Sequence, residues 1–106
     1  SISLKKKHLR RWQGHKFEQR WFSAVLGRFK ILLIRIDDWD EPNRDRQPEE
    51  YILCSDRLDV LHIPNGYVSS LQALDECSKL LVMADYSLGE VKDEYRFPHD
   101  YFENVK

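Results

Sequence analysis

The sequence predicts an all-β protein, a barrel or sandwich assembled from many short strands. Three observations carry this expectation. Branched, aromatic and other apolar residues come in strand-sized runs, as in Arg20–Leu26, Phe29–Ile36 and Lys79–Ala84. Turn-forming residues punctuate them, at Gly27 and again at Pro64-Asn65-Gly66. Nowhere does the chain carry the long apolar stripe of an amphipathic helix.

The elements follow in order. A first strand spans about Ser3 to Trp12, where basic residues make the outward face costly to bury. Arg20–Leu26 is the second, ended by Gly27, and Gly27-Arg28 reads as a tight turn into Phe29–Ile36. That third run is apolar at both parities, as expected when one face lies inside a barrel and the other meets a second layer or subunit. Asp37 to Glu50 is a loop, rich in charge and containing Pro42 and Pro48, with Trp39 as an anchor folded back on the body. Tyr51–Leu53 and Val60–Ile63 resume strand character. At Pro64-Asn65-Gly66 proline presets its own φ while Asn and Gly tolerate positive φ, so the chain turns. Leu71–Leu74 and Lys79–Ala84 complete the strands. Ser87–Asp93 reads as a turn or short helical piece, and Tyr95, Phe97, Tyr101 and Phe102 pack down the end of the chain, because so much ring area is poorly left in water.

A chain of 106 residues suits one domain, residues 1–106, with a modest core. No run approaches the roughly 20 apolar residues that span a bilayer, and no secretory signal is visible, so the expectation is a cytoplasmic protein without a membrane partner. Cys54 and Cys77 do not make a disulfide framework and read as free, largely buried thiols. The net charge is −1, yet residues 1–35 carry ten Lys/Arg and one acidic residue, Glu18, while the remainder carries seven and seventeen. The basic segment is interrupted by Trp12, Trp21 and Phe22 and lacks a recognition-helix pattern, which argues against nucleic acid. Pairing of basic and acidic segments across a sheet or subunit contact accounts for the segregation.

Two stretches resemble the cupin group that contains dTDP-4-dehydrorhamnose 3,5-epimerases and dTDP-sugar 3,4-ketoisomerases. Arg11-Trp12-Gln13-Gly14-His15-Lys16 through Gln19, then Gly27, resembles the group's first motif region. His62-Ile63-Pro64-Asn65-Gly66-Tyr67-Val68-Ser69-Ser70-Leu71 resembles the second, and Asp85-Tyr86 with Asp93-Glu94-Tyr95-Arg96 the closing segment. The resemblance implies a double-stranded β-helix, or jelly-roll barrel, lacking the N-terminal strands usual in the group. It also implies a homodimer, a nucleotide-sugar substrate, and isomerase or epimerase chemistry without metal or other cofactor. The chain departs from the pattern where the group carries histidine, at or near Gln13 and at Ser69.

His15 is the motif-region histidine that remains, and it is the candidate base. An imidazole near its unperturbed pKa can take the acidic proton beside a keto group and return it elsewhere. The resemblance implies a late carboxylate to hold that imidazole, for which Asp100 is one candidate and Asp85 another. Arg11, Gln13, Arg20, His62 and Tyr67 are candidate substrate contacts: guanidinium groups for phosphate oxygens, an amide and an imidazole for hydroxyls, a ring for stacking. Each also has a structural reading, as interface arginine, cross-strand amide, strand histidine or core aromatic. A metal site is not expected, because His15 with Glu18 alone falls short of the three or four ligands a transition metal takes. The expected function is proton abstraction and return beside the keto group of a dTDP-4-keto-hexose. The alternative is a noncatalytic cupin that binds a carbohydrate or nucleotide sugar.

Overall fold

A computed structural model of the chain describes residues 2–86 and 93–105, and these form nine strands and no helix. They are β1 (Ile2–Lys5), β2 (Leu9–His15), β3 (Arg20–Leu26), β4 (Arg28–Arg35), β5 (Glu49–Cys54), β6 (Leu61–Ile63), β7 (Tyr67–Ala73), β8 (Cys77–Ala84) and β9 (Glu94–Arg96). Every pairing is antiparallel. One sheet has the order β1-β8-β3-β6 and the other β5-β4-β7-β2-β9. The chain crosses between sheets at almost every connection, which closes the two sheets face to face as a jelly-roll barrel, the double-stranded β-helix of cupins.

The run predicted over Ser3–Trp12 is two strands in different sheets. They part at Lys6-Lys7, where Lys7 takes φ 66°, and basic side chains tolerate the solvent such a corner faces. Gly27, at φ 73°, likewise carries the chain from β3 in one sheet to β4 in the other rather than closing a hairpin. The strand expected over Leu71–Leu74 begins earlier, at Tyr67, because its alternating residues Val68, Ser70 and Gln72 pair continuously with β4.

Phe29–Ile36 behaves as its double parity requires. Phe29, Ile31 and Leu33 join Phe22, Ala24, Leu53, Ile63, Leu71, Ala73 and Leu80 between the sheets. Leu32, Ile34 and Ile36 face outward with Trp12 and Val68, and there the C-terminal Tyr101 and Phe102 cover them, so the second layer is the chain's own tail. Trp12 meets Phe102 edge to face at 5.1 Å. Trp39 anchors its loop against Tyr95 at 4.7 Å. Both thiols are free, but Cys54 is half-buried and Cys77 exposed, correcting the expectation of buried cysteines; Cys77 lies at the start of β8, where the sheet face gives way to a turn. Residues 87–92 of the expected turn or helical piece lie outside the described residues. No helix among the described residues is long and apolar enough to cross a membrane.

Candidate active site

β2 places the site. Between Arg10 and Gln13 its register against β7 shifts by a bulge, after which Gln13 pairs with Ser69 and His15 with Tyr67. Trp12 and Gly14 then belong to the outward face, and Gln13 and His15 line the space between the sheets. Gly14 is required here: a Cβ on it would lie 2.5 Å from the Tyr67 carbonyl oxygen and 2.6 Å from Val68 Cγ1. The predicted turn braces the end of the same strand, with Gly66 at φ 91° donating its N–H to the His15 carbonyl at 2.9 Å.

His15 is buried, and its Nδ1 lies 3.1 Å from Glu18 Oε2 and 3.2 Å from Asp93 Oδ1. Carboxylates in this setting accept, so Nδ1 directs a proton to them, and Nε2 is the ring nitrogen turned away from both. Nε2 is buried with no hydrogen-bond partner among the described residues. Asp93 is itself held by its other oxygen, which accepts the N–H groups of Phe17 at 2.6 Å and Glu18 at 2.8 Å. Burial alone would raise the Asp93 pKa, but the hydrogen bonds from Glu18 and Phe17, and then His15, outweigh it and hold the carboxyl below its ordinary value. Glu18 Oε2 also accepts from Arg20 Nε at 2.9 Å.

Around this cluster lie two recesses, of about 20 and 30 Å³. Gln13, His15, Arg20, Phe22 and Ser69 line both. Tyr67, Glu18 and Pro64 add to the first, and Ile2, Leu71 and Val82 to the second. Each is about large enough for a water molecule. Larger hollows occur at the far end of the sheets, around Lys5, Leu26 and Cys77 and around Arg28 and Cys54, away from this chemistry.

Of the residues singled out from sequence, His15, Gln13, Arg20 and Tyr67 meet at this place. Three do not. Asp100 is exposed in a turn, and the carboxylates on His15 are Asp93 and Glu18 instead. Arg11 is turned outward by the bulge, where its Nε donates to Ser70 Oγ at 2.8 Å and its guanidinium lies 5.3 Å over the Trp12 ring. His62 alternates with the inward Ile63, so it faces out, stacked on Trp21 at 5.2 Å with Nε2 2.7 Å from Gln19 Oε1. Glu18 had a sequence signal, being the one acidic residue in a basic segment three positions after His15. Asp93 stood in the closing motif, but only folding brings it across 78 residues to His15.

The ligand atoms of His15, Glu18 and Asp93 lie within 4.8 Å of one another, and their types would suit a divalent cation. Asp93 is the third donor that the sequence did not place beside His15 and Glu18. Glu18 is already paired with Arg20, Asp93 is saturated by backbone donors on one oxygen, and the nitrogen left open is the one remote from both carboxylates.

No family model matches the chain, and no curated protein matches it. Solved structures do. The capsular polysaccharide assembling protein CapF from Staphylococcus aureus is 21% identical over 89% of this chain and 24% of its own, with a TM-score of 0.74. A dTDP sugar isomerase from Desulfovibrio desulfuricans G20 is 17% identical over 96% of this chain and 66% of its own, with a TM-score of 0.75. The chain thus spans about a quarter of CapF and 66% of the isomerase. At these identities the likeness establishes the cupin-type barrel.

Proposed function

We propose that the chain is a nucleotide-sugar isomerase or epimerase that moves a proton beside the keto group of a dTDP-4-keto-hexose, with His15 Nε2 as the base. One observation carries the reading: a buried imidazole whose Nδ1 is held by two carboxylates while its Nε2 has no partner. Nε2 takes the proton from the carbon next to the carbonyl; the electron pair of that C–H bond becomes the carbon–carbon double bond of the enolate, and the carbonyl π pair moves onto oxygen. The imidazolium so formed is stabilised by Asp93 and Glu18, and it returns the proton to the neighbouring carbon of the enediol in an isomerisation, whereas an epimerisation takes its new proton from a donor on the opposite face. The developing oxyanion needs a donor, and the phenol of Tyr67 and the guanidinium of Arg20 line the same recess. Gln13 there can hydrogen-bond the sugar but cannot act as a base. The dTDP sugar isomerase likeness, and CapF's role in polysaccharide assembly, support the substrate class. The same reading places the protein in the cytoplasm as a homodimer. The exposed Val25, Leu81 and Met83, which lie on the sheet face turned from the core, provide apolar surface for a second copy.

The test is solvent deuterium exchange into a panel of dTDP-4-keto-hexoses, followed by NMR of the sugar, for wild type and His15→Ala. Wild type is expected to label one carbon beside the keto group and His15→Ala to lose at least a hundredfold in rate. Binding without exchange in any sugar would overturn the enzymatic reading in favour of a noncatalytic carbohydrate-binding cupin.

A further inference from the structure

The register of the five-stranded sheet sets six side chains in two rows on the face that lines the recesses. Arg96, Gln13 and Ser69 form one row across β9, β2 and β7, and Glu94, His15 and Tyr67 form the other. Directly opposed residues of antiparallel strands project to the same face. Glu94 and Arg96 therefore belong to the surface that carries His15, at its open β9 edge, and they reach the recesses through Gln13.

Glu94 Oε1 accepts from Gln13 Nε2, and the same oxygen accepts from Arg96 Nε at 3.1 Å and Nη2 at 2.8 Å. A carboxylate has no hydrogen to give, so the amide nitrogen of Gln13, and not its oxygen, faces Glu94. That decides which end of the amide is left. Oε1 has no hydrogen-bond partner among the described residues, and Gln13 lines both recesses. What this residue offers a ligand is an acceptor. The two orientations of the amide do opposite work. Its nitrogen, aimed at the recess, would be one more donor beside Tyr67 and Arg20, suited to a carbonyl or an oxyanion. Its oxygen takes the hydrogen of a hydroxyl.

We propose that Glu94 is a positioning residue that holds the Gln13 amide with its oxygen toward the ligand, and that the site thereby selects a sugar with a free hydroxyl where it meets Gln13. The inference rests on the recess taking a sugar, and it adds what that sugar must carry at one position. A ligand without the hydroxyl is rejected because Oε1 is then desolvated with no hydrogen to accept. Arg96 and Glu94 have 68% and 42% of their side chains exposed, so their ion pair contributes little to stability. Changing Glu94 leaves the barrel folded and acts on recognition.

The experiment measures binding by calorimetry to wild type, Glu94→Gln and Glu94→Lys. The probes are dTDP-glucose and its deoxyfluoro analogues, with one hydroxyl replaced at a time. Fluorine fills the place of the hydroxyl but has no hydrogen to donate. Wild type is expected to lose about tenfold in affinity for the analogue whose fluorine meets Gln13, the size of one hydrogen bond. Glu94→Gln should keep that preference, because Arg96 draws the new amide oxygen to itself and so holds an acceptor against Gln13. Glu94→Lys presents a donor, turns Gln13 Oε1 toward itself, and should bind that analogue as tightly as dTDP-glucose. Nitrogen NMR of the Gln13 side chain reads the orientation with no ligand present. Its bonded Nε2 proton should lie downfield in wild type and lose that shift in Glu94→Lys. Four results overturn the proposal: no binding of dTDP-glucose to wild type, no preference at any hydroxyl, a preference that survives in Glu94→Lys, or a Gln13 amide indifferent to that change. None of these readouts needs proton transfer, so a noncatalytic carbohydrate binder still passes, and failure here is separate from failure of the deuterium exchange.

Discussion

Replacing Asp93 by Asn tests the arrangement on which the site depends. The carboxylate accepts from two backbone N–H groups on one oxygen and from His15 Nδ1 on the other. Asn has a single acceptor oxygen. If that oxygen keeps Phe17 and Glu18, the amide nitrogen meets the Nδ1 proton, donor against donor, and the ring keeps that proton only through Glu18 Oε2 at 3.1 Å. Each backbone bond falls from charge-assisted to neutral, about 1 kcal/mol apiece, so the fold should lose about 2 kcal/mol. For a domain of this size that is about 10 °C in melting temperature. Full inversion of the tautomer costs about 10⁴ in rate where it is known from the serine-protease triad, and because Glu18 still holds Nδ1 the exchange rate should fall by less than that. The pH dependence has a definite sign. Because the folded carboxyl is held below its ordinary value, its stabilisation is present above pH ~4 and is lost as pH falls through the folded pKa. The gap between wild type and Asp93→Asn should therefore be widest near neutrality and narrow below pH ~4. Thermal melts at several pH values, with nitrogen NMR of the His15 tautomer, measure both effects. Equal stability at pH 7, or an Asn variant that exchanges as fast as wild type, would refute the reasoning.

Two further predictions address the scaffold. Gly14→Ala should cost about 1–3 kcal/mol in urea unfolding and weaken any exchange activity, because two of the three nearest atoms to the new Cβ are β7 backbone and the strand bearing Tyr67 must shift. Trp12→Ala, at a fully buried position against Phe102, should cost about 3–5 kcal/mol, and hydrogen exchange of residues 101–105 should speed up first as the tail loses its seat.

Much of the barrel is written locally. Runs such as Arg20–Leu26 and Lys79–Ala84 have the length and branching of strands, and Gly27 and Gly66 do take the positive φ that their turns require. The double-parity run at Phe29–Ile36 announced two covered faces, and the aromatic tail supplied the cover. His15 was legible as a motif residue, and its neighbours Gln13, Arg20 and Tyr67 were drawn into the same recess. These features depend on side-chain chemistry and on contacts close in sequence.

What the sequence could not decide is which face each residue takes and which distant group it meets. A one-residue bulge sends Arg11 outward beside Trp12 while Gln13 and His15 turn in, and alternation puts His62 on the opposite side of its strand from Ile63. Such choices follow from strand register, which is a property of pairs of strands and not of either one. The carboxylate on His15 is the sharpest case. Asp93 and Asp100 are equivalent as residue types late in the chain, and only the closure of β9 on β2 brings the first to the imidazole and leaves the second in water. By itself the sequence determined that this chain makes a β-barrel with a histidine worth testing. The tertiary structure decided that the histidine is buried against Asp93 as well as its sequence neighbour Glu18, because only long-range strand pairing brings Asp93 across to it.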